Sequence, residues 1–158
     1  MDQYKERRQK VLKAMGQGVA ILKGAPEQTR TNDTEYPYRQ DSDFFYLTGY
    51  TEAGAACILN PNDKDAPFKM FVLPKDPKKE VWTGWRLTFE ETQQAYGCDV
   101  AEDIADFEAQ ALAAMKTASK VYTNLNHELT HRHKMLDMLT QVRSEVQRSG
   151  GGPKVWNQ

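Results

Sequence analysis

The stretch RTNDTEYPYRQDSDFFYLTGYTE, residues 30–52, joins a polar segment to a short aromatic run. Residues 24–43 are rich in Gly, Pro, Asn, Asp, Ser and Thr, and this composition predicts a long loop. Loops of that length are uncommon in compact domains and are often functional. The aromatic run at 44–47 predicts a strand, which Thr48 and Gly49 end.

The same stretch is dense in charge. Such a density in one loop and the following segment favours contact with a substrate or a partner over simple solvation. We expect Arg39 to form a forked pair with one of the neighbouring carboxylates. The alternative is that the charges only fix the loop to the sheet, and for Arg39, Asp41 and Asp43 both interpretations stay open. The charged residues are Arg30, Asp33, Glu35, Arg39, Asp41 and Asp43.

Segments on either side of this stretch alternate between helical and strand patterns. An N-terminal helix is predicted over 4–15, with Val11, Leu12 and Met15 as its apolar stripe and the charged residues 5–10 facing solvent. Thr88 and Glu91 have the spacing of a capping box that starts a later helix. This alternation predicts an α/β domain with a mixed sheet flanked by helices. Strands are further predicted at 18–23, 55–59, 68–73 and 120–123, the second and third as an antiparallel pair, and helices at 103–119 and 129–147.

Composition narrows the class of protein. The chain has 158 residues and a net charge of −1, which fits one domain without a basic face for nucleic acid. No apolar run is long enough to span a bilayer, and no secretory leader is visible at the N-terminus. Cys57 and Cys98 are expected to be free thiols in a reducing cytoplasm, with a single disulfide as the alternative.

His127-Glu128-Leu129-Thr130-His131 matches the H-E-x-x-H pattern of zinc peptidases. A catalytic zinc needs a third protein ligand, and His133 points about 160° away from His131 around a helix. We therefore predict no catalytic zinc here, and a polar first turn of the last helix with Asn126 as its cap. Weak zinc binding through the two histidines of the string stays open.

Two segments of the chain resemble the N-terminal domain of aminopeptidase P, the Xaa-Pro aminopeptidase family. The H-E-x-x-H string matches nothing catalytic in that domain of the family. The first matching segment contains Arg30, Asp33, Tyr36-Pro37-Tyr38-Arg39-Gln40, Ser42-Asp43-Phe44 and Tyr46-Leu47-Thr48-Gly49, and the second is Glu80-Val81-Trp82-Thr83-Gly84-Trp85-Arg86.

The resemblance implies a fold and a place in a larger protein. It implies the creatinase/prolidase N-terminal domain type, with ribonuclease H-like topology, over residues 1–150, and a flexible start of an interdomain linker at 151–158. In the family, a C-terminal pita-bread domain holds two manganese ions and removes the residue that precedes proline. That domain is absent from this chain, so the resemblance implies no catalytic residue and no metal ligand here.

The resemblance also implies site residues and partners. Asp33 and Trp82 match positions near the active-site cleft, and Arg39 is a further cleft candidate, whereas Trp85 is expected to be a packing residue. The implied partners are the catalytic domain, a homo-oligomer and a peptide with proline second, with no nucleic acid and no membrane. A free-standing protein-interaction module and a prolidase N-terminal domain are the alternatives. The remaining motif residues, expected to be structural, are Arg30, Tyr36, Pro37, Gln40, Asp43, Glu80, Gly84 and Arg86.

Overall fold

The computed structural model describes residues 2–31, 34–76, 85–125 and 129–146. Five helices and seven strands lie in these ranges. Apart from the segment at 44–47 and the start of the helix expected at 103–119, the predicted strands and helices lie close to their expected positions. In chain order the observed elements are α1 Asp2–Met15, β1 Gly18–Lys23, β2 Thr29–Thr31, β3 Thr34–Glu35, α2 Ser42–Thr48, β4 Ala56–Leu59, β5 Phe68–Val72, α3 Phe89–Tyr96, β6 Val100–Asp103, a 3-10 turn Ile104–Asp106, α4 Phe107–Thr117, β7 Lys120–Tyr122 and α5 Leu129–Val146.

The central sheet has the order β6-β5-β4-β1-β7, and β2 pairs with β3 in a separate hairpin. The middle strands are antiparallel, as predicted: β1 pairs with β4 and β4 with β5. The two outer strands are parallel to their neighbours, β6 to β5 and β7 to β1. This combination is a mixed sheet, which confirms the predicted fold class.

Alternating side chains of the central strands build two cores on opposite faces of the sheet, because successive residues of a strand point to opposite sides. The first core lies under α1, α2 and α3, and the second lies under α4 and α5. The strand residues of the first core include Ala20, Cys57, Leu59 and Met70. Those of the second include Val19, Ile21, Ile58 and Phe71.

The predicted strand at 44–47 is wrong, since these residues form helix α2. The side chain of Asp41 accepts a hydrogen bond from the backbone N–H of Phe44 at 2.8 Å, which caps the helix start. At the other end Gly49 adopts the left-handed conformation, with φ 72°, and donates to the Phe45 carbonyl. Phe44 and Leu47 are buried, three residues apart on one helix face. Caps at both ends outweigh the strand preference of the aromatic residues.

The helix predicted over 103–119 starts later than expected. Asp103 ends β6, and its side chain accepts a hydrogen bond from the Ala105 N–H at 2.9 Å, which caps the 3-10 turn before α4. The sequence pattern also missed β6 itself and the β2–β3 hairpin inside the long loop. Each of these strands has four residues or fewer, too short to show a periodic pattern.

Arg8 contradicts the prediction that residues 5–10 all face solvent, because its side chain is only 4% exposed. Its guanidinium donates to the Leu47 carbonyl at 2.9 Å, at the end of α2. It also donates to the carbonyls of Tyr96 at 3.2 Å and Gly97 at 3.1 Å, at the end of α3. One cation therefore binds the negative ends of two helix dipoles. Burial lowers the pKa of this guanidinium.

Cys57 and Cys98 are both buried and free, as expected, so the disulfide alternative is wrong. Burial raises the pKa of the Cys57 thiol to about 12 and that of the Cys98 thiol to about 11. Among the helices in the described ranges, none is long and apolar enough to cross a membrane.

Candidate substrate-cleft loop

Gln40 is the central tie of the loop between β1 and α2. Its side-chain oxygen accepts from the backbone N–H of Ala25 at 2.7 Å and from that of Asp41 at 2.9 Å. Its side-chain nitrogen donates to the Glu52 carbonyl at 2.9 Å. One amide thus joins the start of the loop, its end and the segment that follows α2.

Tyr38 makes a second tie between the same segments. Its hydroxyl lies 3.1 Å from the carbonyl oxygen of Ala25 and 3.2 Å from that of Glu52, and its single proton is shared between these acceptors. Burial, followed by the nearby carboxylates of Glu27 and Asp41, raises the pKa of Tyr38 to about 12. The neutral phenol is the form that can donate, so the tie persists throughout the physiological pH range.

Gly24 permits the close approach on which the Gln40 tie depends. A Cβ atom at this position would lie 2.9 Å from Gln40 Oε1 and 3.2 Å from the carbonyl oxygen of Ala55. Gly24 also donates its N–H to that same carbonyl at 2.8 Å. Any larger residue would push the amide of Gln40 away from the loop that it holds.

Asp41 and Asp43 act through hydrogen bonds with α2 and with the chain beyond β7. Asp41 caps α2, as described above, and Asp43 Oδ2 accepts from the Asn124 side chain at 2.9 Å. Two of the other carboxylates that could pair with Arg39, those of Asp33 and Glu35, lie outside the described part. The forked pair of Arg39 with one of the loop carboxylates therefore stays a prediction.

The domain thus has helices on both faces of a five-stranded mixed sheet, and the loop between β1 and α2 is held in place by hydrogen bonds. The family model described as "Aminopeptidase P, N-terminal domain" matches residues 4–122. The chain belongs to the aminopeptidase P N-terminal domain family. The resemblance seen in the two sequence motifs is thereby confirmed.

Relatives of this aminopeptidase P N-terminal domain agree in sequence and in structure. It is 34% identical over 122 residues to an Xaa-Pro aminopeptidase of Haemophilus influenzae, covering 77% of this chain and 28% of that protein. An Xaa-Pro aminopeptidase of Escherichia coli is also 34% identical over 122 residues, covering 76% of this chain and 28% of that protein. The solved structure of the Pseudomonas aeruginosa aminopeptidase PepP superimposes with a TM-score of 0.87 at 32% identity, covering 97% of this chain and 35% of that chain. The chain thus spans about a third or less of the proteins it matches.

Arg39 of this aminopeptidase P N-terminal domain is exposed and borders an open cleft of about 520 Å³. Arg7 lies on the same cleft and stacks on the ring of Tyr46, with its guanidinium carbon 4.2 Å from the ring centroid. Tyr38 and Thr51 also line the cleft. Two guanidinium groups beside aromatic rings can bind a carboxylate together with an apolar group.

Three further residues of the sequence motifs take no part in the hydrogen bonds of Gln40 described above: Arg30, Tyr36 and Arg86. The guanidinium carbon of Arg30 lies 5.9 Å from the ring centroid of Tyr36, whose side chain is 53% exposed. Tyr36 donates its backbone N–H to the Gln28 carbonyl at 2.9 Å, while Pro37 is exposed next to it. Arg86 is half-buried. The contacts of Arg30 and Tyr36 are those of one small surface cluster on the hairpin side of the loop.

Several predicted site residues lie outside the described residues. They are Asp33, Glu80, Trp82 and Gly84. Trp85 is described and is 61% exposed, with Lys75 Nζ 4.8 Å from its ring centroid, so the expected packing role is wrong.

Most of the H-E-x-x-H string at 127–131 also lies outside the described residues. His127, Glu128 and the side chain of His131 are outside the described part, and α5 is described from Leu129 onward. No group of three or more His, Cys, Asp or Glu side chains is placed to hold a metal ion within residues 2–31, 34–76, 85–125 and 129–146. The absence of a catalytic zinc at the string stays a prediction.

Arg8 was predicted to face solvent, but it is buried and joins the ends of two helices. A signal for it was present, because Arg8, Val11, Leu12 and Met15 follow the helical spacing of an inward-facing stripe. A charge at the first position of that stripe indicates a buried cation that needs acceptors. The ends of α2 and α3 supply them.

Proposed function

We propose that this chain is the N-terminal, non-catalytic domain of an Xaa-Pro aminopeptidase, an enzyme that removes the residue preceding proline. The observation that carries the proposal is the family match over residues 4–122, together with relatives named Xaa-Pro aminopeptidase. The chain covers only 28% of each of those two relatives, so the catalytic domain would be a separate part of the parent protein.

Within the parent, the domain would shape the substrate cleft and the oligomer. Asp33, Trp82 and Arg39 are the proposed cleft residues. The exposed guanidinium of Arg39 supports this role, since it lies at an open cleft beside aromatic side chains. Arginine in such a position is suited to bind the carboxylate of a short peptide in a forked geometry.

The metal ions belong to the other part of the proposed parent. The described residues of this chain do not fit a dinuclear metal site, because they contain no cluster of three suitable side chains. We propose that two manganese ions are held by the catalytic domain, that the parent is a homo-oligomer and that it works in the cytoplasm. The isolated chain is then expected to be inactive.

The size of the natural polypeptide tests the proposal first. An antibody raised against this chain, used on a denaturing gel of the source cells, should detect a band much larger than 18.1 kDa. A band at 18.1 kDa would instead indicate a free-standing interaction module and would reject the enzyme proposal.

Activity of the purified proteins is the second test. The longer protein should release the first residue of an Ala-Pro-Phe peptide in the presence of manganese, and the isolated chain should not. Cleavage of Xaa-Pro dipeptides alone would point to a prolidase. In the longer protein, Trp82→Ala and Arg39→Gln should raise KM for the peptide, whereas the matched control Arg143→Gln, an exposed residue in the last turn of α5, should leave KM unchanged.

A further inference from the structure

The exposed side chain of Arg39 lies between two half-buried ones, those of Tyr38 and Gln40. Both neighbours contact the same two backbone segments. Ala25 donates its N–H to Gln40 at 2.7 Å, and its carbonyl oxygen lies 3.1 Å from the Tyr38 hydroxyl. The carbonyl oxygen of Glu52 lies 2.9 Å from Gln40 Nε2 and 3.2 Å from the same hydroxyl. The backbone of Arg39 is therefore fixed on both sides by side-chain hydrogen bonds.

The backbone groups that anchor these side chains belong to the end of the central sheet. The antiparallel pairing of β1 with β4 ends at Lys23 and Ala56. One step further, Gly24 donates its N–H to the Ala55 carbonyl at 2.8 Å, and Ala25 follows directly. Functional side chains supported by the strands and helices of a fold are held more precisely than those on unsupported loops. The hydrogen bonds thus extend the rigidity of the sheet to the loop.

The amide of Gln40 has the donor and the acceptor that this arrangement requires. Its oxygen accepts from the N–H groups of Ala25 and Asp41, and its nitrogen donates to the Glu52 carbonyl. An ionised carboxylate only accepts hydrogen bonds, and an alkyl side chain forms none. Because all three partners are backbone groups, the amide fixes the path of the chain on both sides of it. Without the amide, the segment that carries Arg39 loses its closest attachment to the sheet.

The second cation of the cleft is held by different contacts. Arg7 donates to the Tyr46 carbonyl at 3.1 Å and stacks on the ring of the same residue. Tyr46 belongs to α2, and the side chain of Asp41 caps the start of that helix. Gln40 accepts from the N–H of this capping residue. The position of Arg39 relative to Arg7 therefore depends on the path that Gln40 gives to the chain entering α2.

We propose that Gln40, assisted by Tyr38, is the positioning residue of the substrate cleft and holds Arg39 where its guanidinium binds the carboxylate of the peptide. This inference rests on the proposed function and adds the residue through which the cleft keeps its shape. A contact that is equally strong in the bound substrate and in the transition state changes KM and leaves kcat unchanged. Loss of the Gln40 hydrogen bonds should therefore act on KM alone.

Steady-state kinetics of the longer protein on Ala-Pro-Phe with manganese test the proposal. Gln40→Ala should raise KM by about 3–10-fold and leave kcat within about twofold of the wild type. Tyr38→Phe keeps the ring and the Gln40 hydrogen bonds, so it should raise KM by about 2–3-fold. In an Arg39→Gln background each replacement should change KM by less than about twofold, because the residue that they position is gone. The matched control is Gln141→Ala, which removes an exposed amide of α5 on the other face of the sheet and should leave KM unchanged.

Several results would overturn the proposal. They are an unchanged KM in Gln40→Ala, a fall in kcat without a change in KM, and an equal rise in KM with and without Arg39. The last would show that Gln40 supports the fold in general and does not act through Arg39. If Gln40→Ala failed to fold, Tyr38→Phe would decide by the same comparison. Failure of the proposed function is distinguishable, since the wild-type longer protein would then release no alanine from the peptide and this inference would fall with it.

Discussion

Replacement of Arg8 by methionine tests whether one guanidinium holds α1, α2 and α3 together. Methionine keeps the volume and the flexible stem but removes three charged hydrogen bonds, of 2.9, 3.2 and 3.1 Å. The Leu47 carbonyl is buried, and leaving a buried acceptor without a partner costs about 1–3 kcal/mol. The two acceptors at the end of α3 are partly buried and would recover some hydration.

The expected loss in free energy of unfolding is therefore about 2–4 kcal/mol, after the lower desolvation cost of methionine is included. For a chain of 158 residues this corresponds to a fall in Tm of about 5–15 °C. Arg8→Lys should fall between methionine and the wild type, because an ammonium cannot span two helix ends as a planar fork does.

Urea unfolding followed by circular dichroism provides the measurement, with Lys10→Met as the matched control. Lys10 is exposed on the same helix, and Lys10→Met removes the same charge. This replacement should lower the free energy of unfolding by less than about 0.5 kcal/mol. If Arg8→Met were as stable as Lys10→Met, the helix-end hydrogen bonds would contribute nothing net. The favourable free energy of these hydrogen bonds would then be cancelled by the cost of burying the guanidinium, and the reasoning would be refuted.

Three further predictions concern the loop, the cap of α2 and the thiols. Gly24→Ala should lower the free energy of unfolding by about 1–3 kcal/mol, because its Cβ would collide with Gln40, and Gln40→Ala in the same background should recover part of the loss in a urea double-mutant cycle. Asp41→Ala should cost about 1 kcal/mol and Asp41→Asn much less in thermal unfolding, and equal losses would argue against the cap. The pKa values of Cys57 and Cys98 are raised from 9.0 to about 12 and about 11, so their stabilising contribution is complete below pH 9 and is lost as pH rises through the folded values. Unfolding measured between pH 8 and 11 should show a decline that is shallower in Cys57→Ala, whereas an unchanged slope would contradict the assignment.

The strands of the sheet were predictable because their patterns are local. A run such as β1, GVAILK at 18–23, is apolar from Val19 to Leu22, since both faces of the central strand are covered. The capping box of α3 was equally local, and Thr88 and Glu91 form it as expected. In each case the deciding contacts lie within a few residues of one another.

The errors came from contacts between distant parts of the chain. The aromatic composition of residues 44–47 favours a strand, but Asp41 caps the start and Gly49 the end of the helix that they form. Arg8 looks like a surface charge until α3, 88 residues away, places a carbonyl beside it. The sequence identified Gln40 only as part of a family motif. Its hydrogen-bond partners, the N–H of Ala25 and the carbonyl of Glu52, lie beside it only in the folded chain and could not be predicted.

The two faces of the sheet are covered by different parts of the chain, and this has a consequence during synthesis on the ribosome. The helices of the first face precede residue 97, whereas both helices of the second face follow residue 106. A nascent chain that has emerged only to β6 can cover one side of its sheet and still exposes Val19, Ile21, Ile58 and Phe71 on the other. Translation of the last third of the chain is thus the interval in which chaperones would have most to protect.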